Sequence, residues 1–263
     1  MTQMQHPTPA PLFGWRSRAP DAGAPALSVV APMHNEEGTA AALVREISVA
    51  LAGFDVEIII VDDGSTDATR ATLVEEKKST PQLRVLAHGT KAGQSRAIRT
   101  GVIAARAPVI ATLDGDGQND PAEIPGLYRQ LIRGGAPREL TMVAGERSIR
   151  QDPLARKWSS RIANVLRSRL LRDGAADTGC GLKVFYREAF LRLPAFDHMH
   201  RYLPALMRRE GYLVEYVRVG GRPRTHGRSK YTNLGRLFVA FRDLNGVMWL
   251  KDRGRSPGEI SEL

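Results

Sequence analysis

Cysteine is almost missing: Cys180 is the only one in 263 residues. No intrachain disulfide can form, which fits a reducing compartment. Set in a glycine-rich turn, this thiol reads as a small filler rather than a nucleophile. Aromatic residues make up only 6% of the chain, and none interleaves the basic runs as a base-stacking platform. This argues against a nucleic-acid-binding module, which the net charge of +10 would otherwise permit. No apolar run approaches the ~20 residues that span a bilayer. The N-terminus has no continuous apolar stretch of the kind a secretory signal needs. A cytoplasmic protein is expected, with any membrane contact peripheral and at the cytoplasmic face.

What the sequence does have is basic charge, unevenly placed. Residues 1–140 hold 14 Lys+Arg against 16 Asp+Glu, and residues 141–263 hold 24 against 12. A near-neutral front half and a strongly basic back half imply that the back half meets something anionic. Residues 1–26, rich in Pro and Ala and without periodicity, read as a disordered tail.

From Leu27 the pattern becomes regular. Apolar runs at 27–32, 56–61, 83–86 and 108–113 read as buried strands. Segments with helical spacing follow them at 36–52, 67–78 and 94–106, with Ser65 or Thr66 as candidate cap for the second. Strand, helix, strand, repeated, predicts an α/β fold: a mostly parallel central sheet with helices on both faces. Ligands bind outside the carboxyl ends of the strands in such sheets. Asn35-Glu36, Asp62-Asp63 and Asp114-Gly115-Asp116 should therefore converge on one crevice.

The stretch Asp114-Gly-Asp-Gly-Gln118 is the most suggestive of these. Two carboxylates one residue apart at a strand end call for a cation or other partners. Hard oxygen donors suit Mg²⁺ or Mn²⁺. On an extended backbone Asp114, Asp116 and Gln118 would point the same way. A plain turn is the simplest alternative. An EF-hand is excluded, because Pro125 stands where the loop needs its bidentate Glu. A phosphatase-type nucleophile at Asp114 is a third reading, with Gln118 standing where Thr or Val is wanted.

The motif Pro32-Met33-His34-Asn35-Glu36 reads either as a helix start capped by Asn35 or as an edge that binds a nucleotide base and ribose. Asp62-Asp63 reads as a turn or as hydrogen-bond acceptors for base or sugar. Around Gly93, Lys91-Ala-Gly-Gln-Ser-Arg96 permits close approach of a nucleotide, and matches neither the P-loop nor the Rossmann glycine pattern.

In the back half, 141–145 and 213–219 read as strands. Residues 154–172 read as a helix with Arg156, Lys157, Arg161 and Arg167 on one face, either an ordinary surface helix or a basic amphipathic one near phosphate or lipid headgroups. Arg222–Tyr231 is a basic loop whose Arg, Ser and Lys suit phosphate oxygens. His226 within it has no second His or Cys at a metal-ligand spacing. The segment 233–250 carries a wide apolar stripe, Leu234, Leu237, Phe238, Phe241, Leu244, Met248 and Trp249. It packs on a core or lies at a membrane surface with Lys251, Arg253 and Arg255 beyond it.

Taken together, P-M-H-N-E at 32–36, D-D-G-S-T-D at 62–67, K-A-G-Q-S-R-A-I-R-T-G at 91–101, D-G-D-G-Q at 114–118, D-T-G-C-G-L-K at 177–183 and H-G-R-S-K-Y at 226–231 resemble the glycosyltransferase family 2 enzymes. More narrowly, they resemble its polyprenyl-phosphate branch. The resemblance covers roughly residues 27–250. It implies a GT-A fold over 27–232, with 27–120 as a nucleotide-binding half and 121–232 as an acceptor half. An amphipathic helix at 233–250 and a tail at 251–263 would follow. It implies transfer of a sugar from a nucleotide-sugar to a polyprenyl phosphate. Pro32, His34, Asn35, Glu36, Asp62, Asp63, Gly93 and Asp114 would hold the nucleotide. Asp114, Asp116 and Gln118 would hold Mg²⁺ or Mn²⁺, with Asp116 the stronger candidate for direct coordination. Arg147 and Arg161 fall where the family sets basic residues against phosphate and acceptor, and Ser229 and Lys230 belong to a loop that closes over the diphosphate.

There are departures from the family pattern. His34 stands where Tyr or Phe is common, and Cys180-Gly-Leu-Lys183 replaces a Ser-Gly-Phe-Arg-like run. Many members carry C-terminal membrane spans; here peripheral contact or a separate membrane-protein partner is expected instead. A same-fold alternative acts on a soluble or polysaccharide acceptor, and would need a carboxylate base that the sequence does not point to.

Overall fold

A computed structural model describes residues 23–147, 167, 170–175, 177, 179–222 and 233–254. Its centre is a seven-stranded sheet ordered β3-β2-β1-β4-β6-β5-β7. The first four strands are β1 (Leu27–Met33), β2 (Val56–Asp62), β3 (Leu83–Ala87) and β4 (Val109–Thr112), all mutually parallel. Helices α1 (Ala40–Ala50), α2 (Thr69–Glu76) and α3 (Gln94–Ala104) connect them. After β4 come a 3₁₀ turn at Pro121–Glu123, α4 (Ile124–Ile132) and β5 (Leu140–Arg147). Then follow β6 (Lys183–Tyr186), α5 (Arg187–Leu191), α6 (Leu203–Arg209), β7 (Leu213–Val219) and α7 (Asn233–Asp252).

Period-two alternation builds the core. Leu27, Val29, Ala31 and Met33 face one cluster with Leu43, Val44 and Ile47 of α1, while Val30 faces the other with Ala97, Ile98 and Val102 of α3. β1 is buried along its whole length, as a central parallel strand must be. Gly101 lets α3 approach the sheet: a Cβ there would lie 2.4 Å from Val30 Cγ1.

The expected parallel strands are all present. The unexpected element is β6. It runs antiparallel between β4 and β5, with Thr112 opposite Lys183 and Ala144 opposite Lys183 on the other side. Its reversal brings its first residue, Lys183, to the carboxyl ends of its neighbours. Helix α1 begins at Ala40, later than its apolar spacing suggests, with Thr39 rather than Asn35 at its cap. Asn35 instead adopts φ 56 and bonds Thr66. Ser65 and Thr66 do not cap α2; Asp67 accepts the Thr69 amide and hydroxyl at its start.

In α7, Val247 is buried and Leu244, Met248 and Leu250 pack against the core, whereas Phe241 and Trp249 are exposed. The apolar stripe thus divides between core and surface. The expected helix at 154–172 and the basic loop at 223–231 lie almost wholly outside the described residues. Among the described residues, no helix is long and apolar enough to cross a membrane.

Candidate active site

Three strand ends meet as the βα pattern requires. The turn Asp114–Gly117 folds over the end of β1: a Cβ on Gly115 would lie 2.4 Å from the Pro32 carbonyl. Thr39 Oγ1 donates to the Gly115 carbonyl at 3.1 Å, pinning the turn to the start of α1. The segment is not extended, so the alternation expected for its side chains does not hold. The Gln118 amide donates to Asp116 Oδ1 at 3.1 Å, and Gly117 takes φ 74. The two carboxylates are nonetheless close enough to oppose each other's charge.

Asp114 is partly buried and held from several sides. Its amide donates to Asn119 Oδ1 at 3.0 Å, and Gln94 Nε2 donates to its Oδ1 at 2.7 Å. Its carboxyl packs on Gly181, where a Cβ would fall 2.4 Å from Asp114 Cγ. Burial pushes its pKa up and the Asp116 carboxylate adds to this, while Lys183, Arg147 and the Gln94 bond pull the other way. A divalent cation would relieve this repulsion, and the oxygen donors suit Mg²⁺ or Mn²⁺. Among the described residues, no group of three or more His, Cys, Asp or Glu is arranged to hold a metal.

The first two strand ends are knitted together. His34 Nδ1 donates to the Asp63 carbonyl at 2.9 Å, which fixes its tautomer when neutral. Asn35 N donates to Ser65 Oγ at 3.0 Å, and Glu36 N to Thr69 Oγ1 at 2.8 Å. Asp62 accepts the Ser65 amide and Arg70 Nε at 2.7 Å. Asp63 accepts from His88 Nδ1 and from the amides of Ala92 and Gly93, each at 2.8 Å. For both, burial works to raise the pKa, and these bonds outweigh it and hold the carboxyl below its ordinary value. Asp63 thereby shapes the loop that presents Gly93, whose φ is 91.

The neighbouring strand ends are basic. Arg147, at the end of β5, grips Asp177 with both Nε (2.7 Å) and Nη2 (3.2 Å). The sequence left Asp177 without a role; it orients Arg147 and caps its own turn through the Gly179 amide at 3.0 Å. Lys183 is buried and donates to the Cys180 carbonyl. Burial lowers its pKa, partly offset by the negative charges around it, Asp114 and Asp177 among them. Arg222, after β7, ties that strand's end to the acidic turn and α1: its amide donates to the Gln118 carbonyl at 3.1 Å, and its side chain pairs with Glu46 and Asp120.

Of the sequence-predicted residues, Pro32, His34, Asn35, Glu36, Asp62, Asp63, Gly93, Asp114, Asp116, Gln118 and Arg147 all lie at this end of the sheet. Arg161, Ser229 and Lys230 lie outside the described residues. Sequence reasoning missed Gln94, Asn119 and Lys183. The signal for Lys183 was its place closing the D-T-G-C-G-L-K motif at 177–183, which the sequence reading quoted without giving the lysine a role.

The model for glycosyl transferase family 2 matches residues 28–193. A dodecaprenyl-phosphate galacturonate synthase from Rhizobium johnstonii is 36% identical over 246 residues, covering 89% of this chain and 70% of that protein. An undecaprenyl-phosphate 4-deoxy-4-formamido-L-arabinose transferase from Pseudomonas fluorescens is 32% identical over 219 residues, covering 82% of this chain. The chain spans 62% of the length of that second relative. Glucosyl-3-phosphoglycerate synthase from Mycobacterium tuberculosis, solved with Mn²⁺, UDP and phosphoglyceric acid, superimposes with TM-score 0.67 at 20% identity, over 90% of this chain and 81% of that one. A second structure of that enzyme, with Mg²⁺ and UDP, gives 0.66. This likeness shows the fold, which is GT-A.

Proposed function

We propose, because the chain belongs to glycosyl transferase family 2, that it moves a sugar from a nucleotide-sugar to a polyprenyl phosphate with inversion at the anomeric carbon. The observation that carries this is the gathering of opposite charge at one end of the sheet: the Asp114 carboxyl lies within electrostatic reach of Asp116, of buried Lys183 and of Arg147, which Asp177 orients. An ionised phosphate needs no general base to become a nucleophile, and this site is rich in cations.

In this reading Asp114, Asp116 and Gln118 hold Mg²⁺ or Mn²⁺. When bound, the cation neutralises the departing diphosphate. Pro32, His34, Asn35, Glu36, Asp62, Asp63 and Gly93 form the nucleotide edge, with the Asp63 bonds presenting the 88–93 loop. Arg147, fixed by Asp177, faces the acceptor phosphate, and Arg161 joins it on the strength of sequence position; Ser229 and Lys230, likewise by sequence position, belong to the loop over the diphosphate. A phosphate oxygen bonds to the anomeric carbon as the bond to the diphosphate oxygen breaks, and the excess negative charge stays on the diphosphate. Residues 27–120 serve the donor and 121–232 the acceptor. Since this acceptor sits in a bilayer, the protein works peripherally at a membrane, where exposed Phe241, Arg242 and Trp249 on α7 and Arg253 just after it meet the headgroups.

The test is a panel of nucleotide-sugars with polyprenyl phosphate and Mn²⁺ or Mg²⁺. Labelled sugar should partition into an organic extract and should not when chelator is present. Label that appears only in water-soluble product would move the acceptor to another class.

A further inference from the structure

We propose that His200 is a positioning residue for the reaction: it locks the first turn of α3 through Ser95, and so holds Gln94 where its amide fixes Asp114. This rests on the metal-dependent transferase reading above and adds a residue to that site.

Gln94 opens α3, and its Nε2 donates to Asp114 Oδ1 at 2.7 Å. A helix start has little to hold it, since its first four amides have no partner inside the helix. Here Gly93 precedes it, with φ 91 and no side chain to cap the turn. The chain is pinned on both sides instead. Upstream, the Ala92 and Gly93 amides donate to the Asp63 carboxylate, each at 2.8 Å. Downstream, buried Ser95 pairs with His200, 105 residues further along the chain. Gln94 is the residue between these two anchors, so its side chain is aimed at Asp114 before any ligand arrives.

The Ser95–His200 contact is reciprocal. Ser95 Oγ and His200 Nδ1 are 2.7 Å apart, and the His200 amide donates to the same Oγ at 3.2 Å. Burial holds the His200 imidazole well below its ordinary pKa of 6.5, and the charges of Arg201 and Lys183 add to this. The ring is therefore neutral near pH 7. Its Nδ1 accepts from the Ser95 hydroxyl, and its proton sits on Nε2. A hydroxyl that donates to and accepts from one residue has no freedom left to turn. The His200 side is firm as well, because Met199 and Tyr202 on either side of it are buried in one core cluster with Ala97 and Ile98 of α3. Lys183 acts electrostatically on both His200 and Asp114, which sets this anchor at the same end of the sheet as the acidic turn.

Ser95→Ala removes the hydroxyl and keeps a good helix former. With UDP present, its Mn²⁺ affinity, read by electron paramagnetic resonance, should fall about tenfold. His200→Leu should match it. His200→Asn, whose Oδ1 falls near the Nδ1 position, should keep most of the wild-type affinity. Gln94→Leu should be as weak as Ser95→Ala, and combining the two should cost nothing further, because the hydroxyl acts through Gln94. A contact that only satisfies a buried hydroxyl would lower Tm in Ser95→Ala and leave Mn²⁺ affinity at the wild-type value. That result, losses that add in the double variant, or equal loss in His200→Asn and His200→Leu overturns the inference and leaves the metal site standing. If Ser95→Ala does not fold, the two His200 variants decide by the same measurement. Wild-type protein that binds UDP but no Mn²⁺ overturns the metal reading and this inference with it.

Discussion

Gly181 tests the site without touching any charged group. It carries no side chain because the Asp114 carboxyl occupies that space: a Cβ would sit 2.4 Å from Cγ and Oδ1 and 2.5 Å from Oδ2. Ordinary contacts between such atoms are about 3.5 Å. In Gly181→Ala the carboxyl must therefore retreat by roughly 1 Å. It cannot do so freely, since Gln94 Nε2 holds Oδ1 at 2.7 Å and the neighbouring backbone is tied to Asn119. Losing the Gln94 bond costs about 1.5–3 kcal/mol if the carboxylate is ionised. Misplacing a catalytic group by about 1 Å costs roughly 100-fold in rate. The expected variant is folded, a few degrees less thermostable, and down about 100-fold in lipid-linked product, with weakened Mn²⁺ dependence. Gly126→Ala, on α4 with nothing within 4 Å of the added Cβ, is the control and should be silent or mildly stabilising. Wild-type turnover and metal response in Gly181→Ala would refute the claim that Asp114's position matters.

Four further outcomes are expected, that for Arg161 from its sequence position alone. Asp116→Ala should nearly abolish transfer, and full activity in the presence of chelator would remove the metal role. Replacing Arg161 should weaken use of the acceptor more than nucleotide binding, read as separate KM values; equal loss of both would argue against its assignment. Buried Glu57 gives a pH signature. Burial works to raise its pKa, but bonds from Ser28, the Arg106 amide, Arg84 and the Arg106 side chain outweigh that and hold it below 4.5. A depressed carboxyl stabilises the fold above its unfolded value and loses this as pH falls through the folded value. The Tm gap between wild type and Glu57→Gln should be wide at pH 7 and narrow on acidification; a gap that stays constant sinks the argument. Finally, Phe241→Ser with Trp249→Ser should reduce sedimentation with anionic vesicles several-fold while leaving Tm nearly unchanged, since both side chains are exposed, at 65% and 59%.

The front half was legible because one pattern dominates it. Apolar runs of four to six residues, the first three each followed by a helical segment and polar motifs falling directly after strands one, two and four, admit little but a parallel sheet with its chemistry at one end. Residue-level bonding was less legible. Asp67 takes the part expected of Ser65 or Thr66, because those hydroxyls are drawn across to Asn35, 30 residues away in sequence. Gln94 was invisible as a partner of Asp114, since nothing local ties a helix start to a turn 20 residues later. β6 was missed as a strand because four residues opening on a lysine give too short an alternation to register. Helix α4 was left unassigned, although Pro125 in its first turn is a residue that helix starts favour. For the side-chain bonds, the deciding partner is distant in sequence.

The reversed strand β6 has a consequence for how the protein is made. A nascent chain that has emerged only through β4 has β3, β2, β1 and β4 in order, but β4 then forms a bare edge of apolar residues, Val109 to Thr112. The strand that covers it begins at Lys183, some 70 residues further along. Unpaired apolar edges are where incomplete chains stick to one another. The same delay leaves Asp114 and Asp116 without Lys183 and Arg147. The edge is sealed and the carboxylates gain their counter-charges in one late event, so a truncated front half should be prone to aggregation and should keep its acidic turn, pinned by Thr39, Gln94 and Asn119, without the cations that offset it.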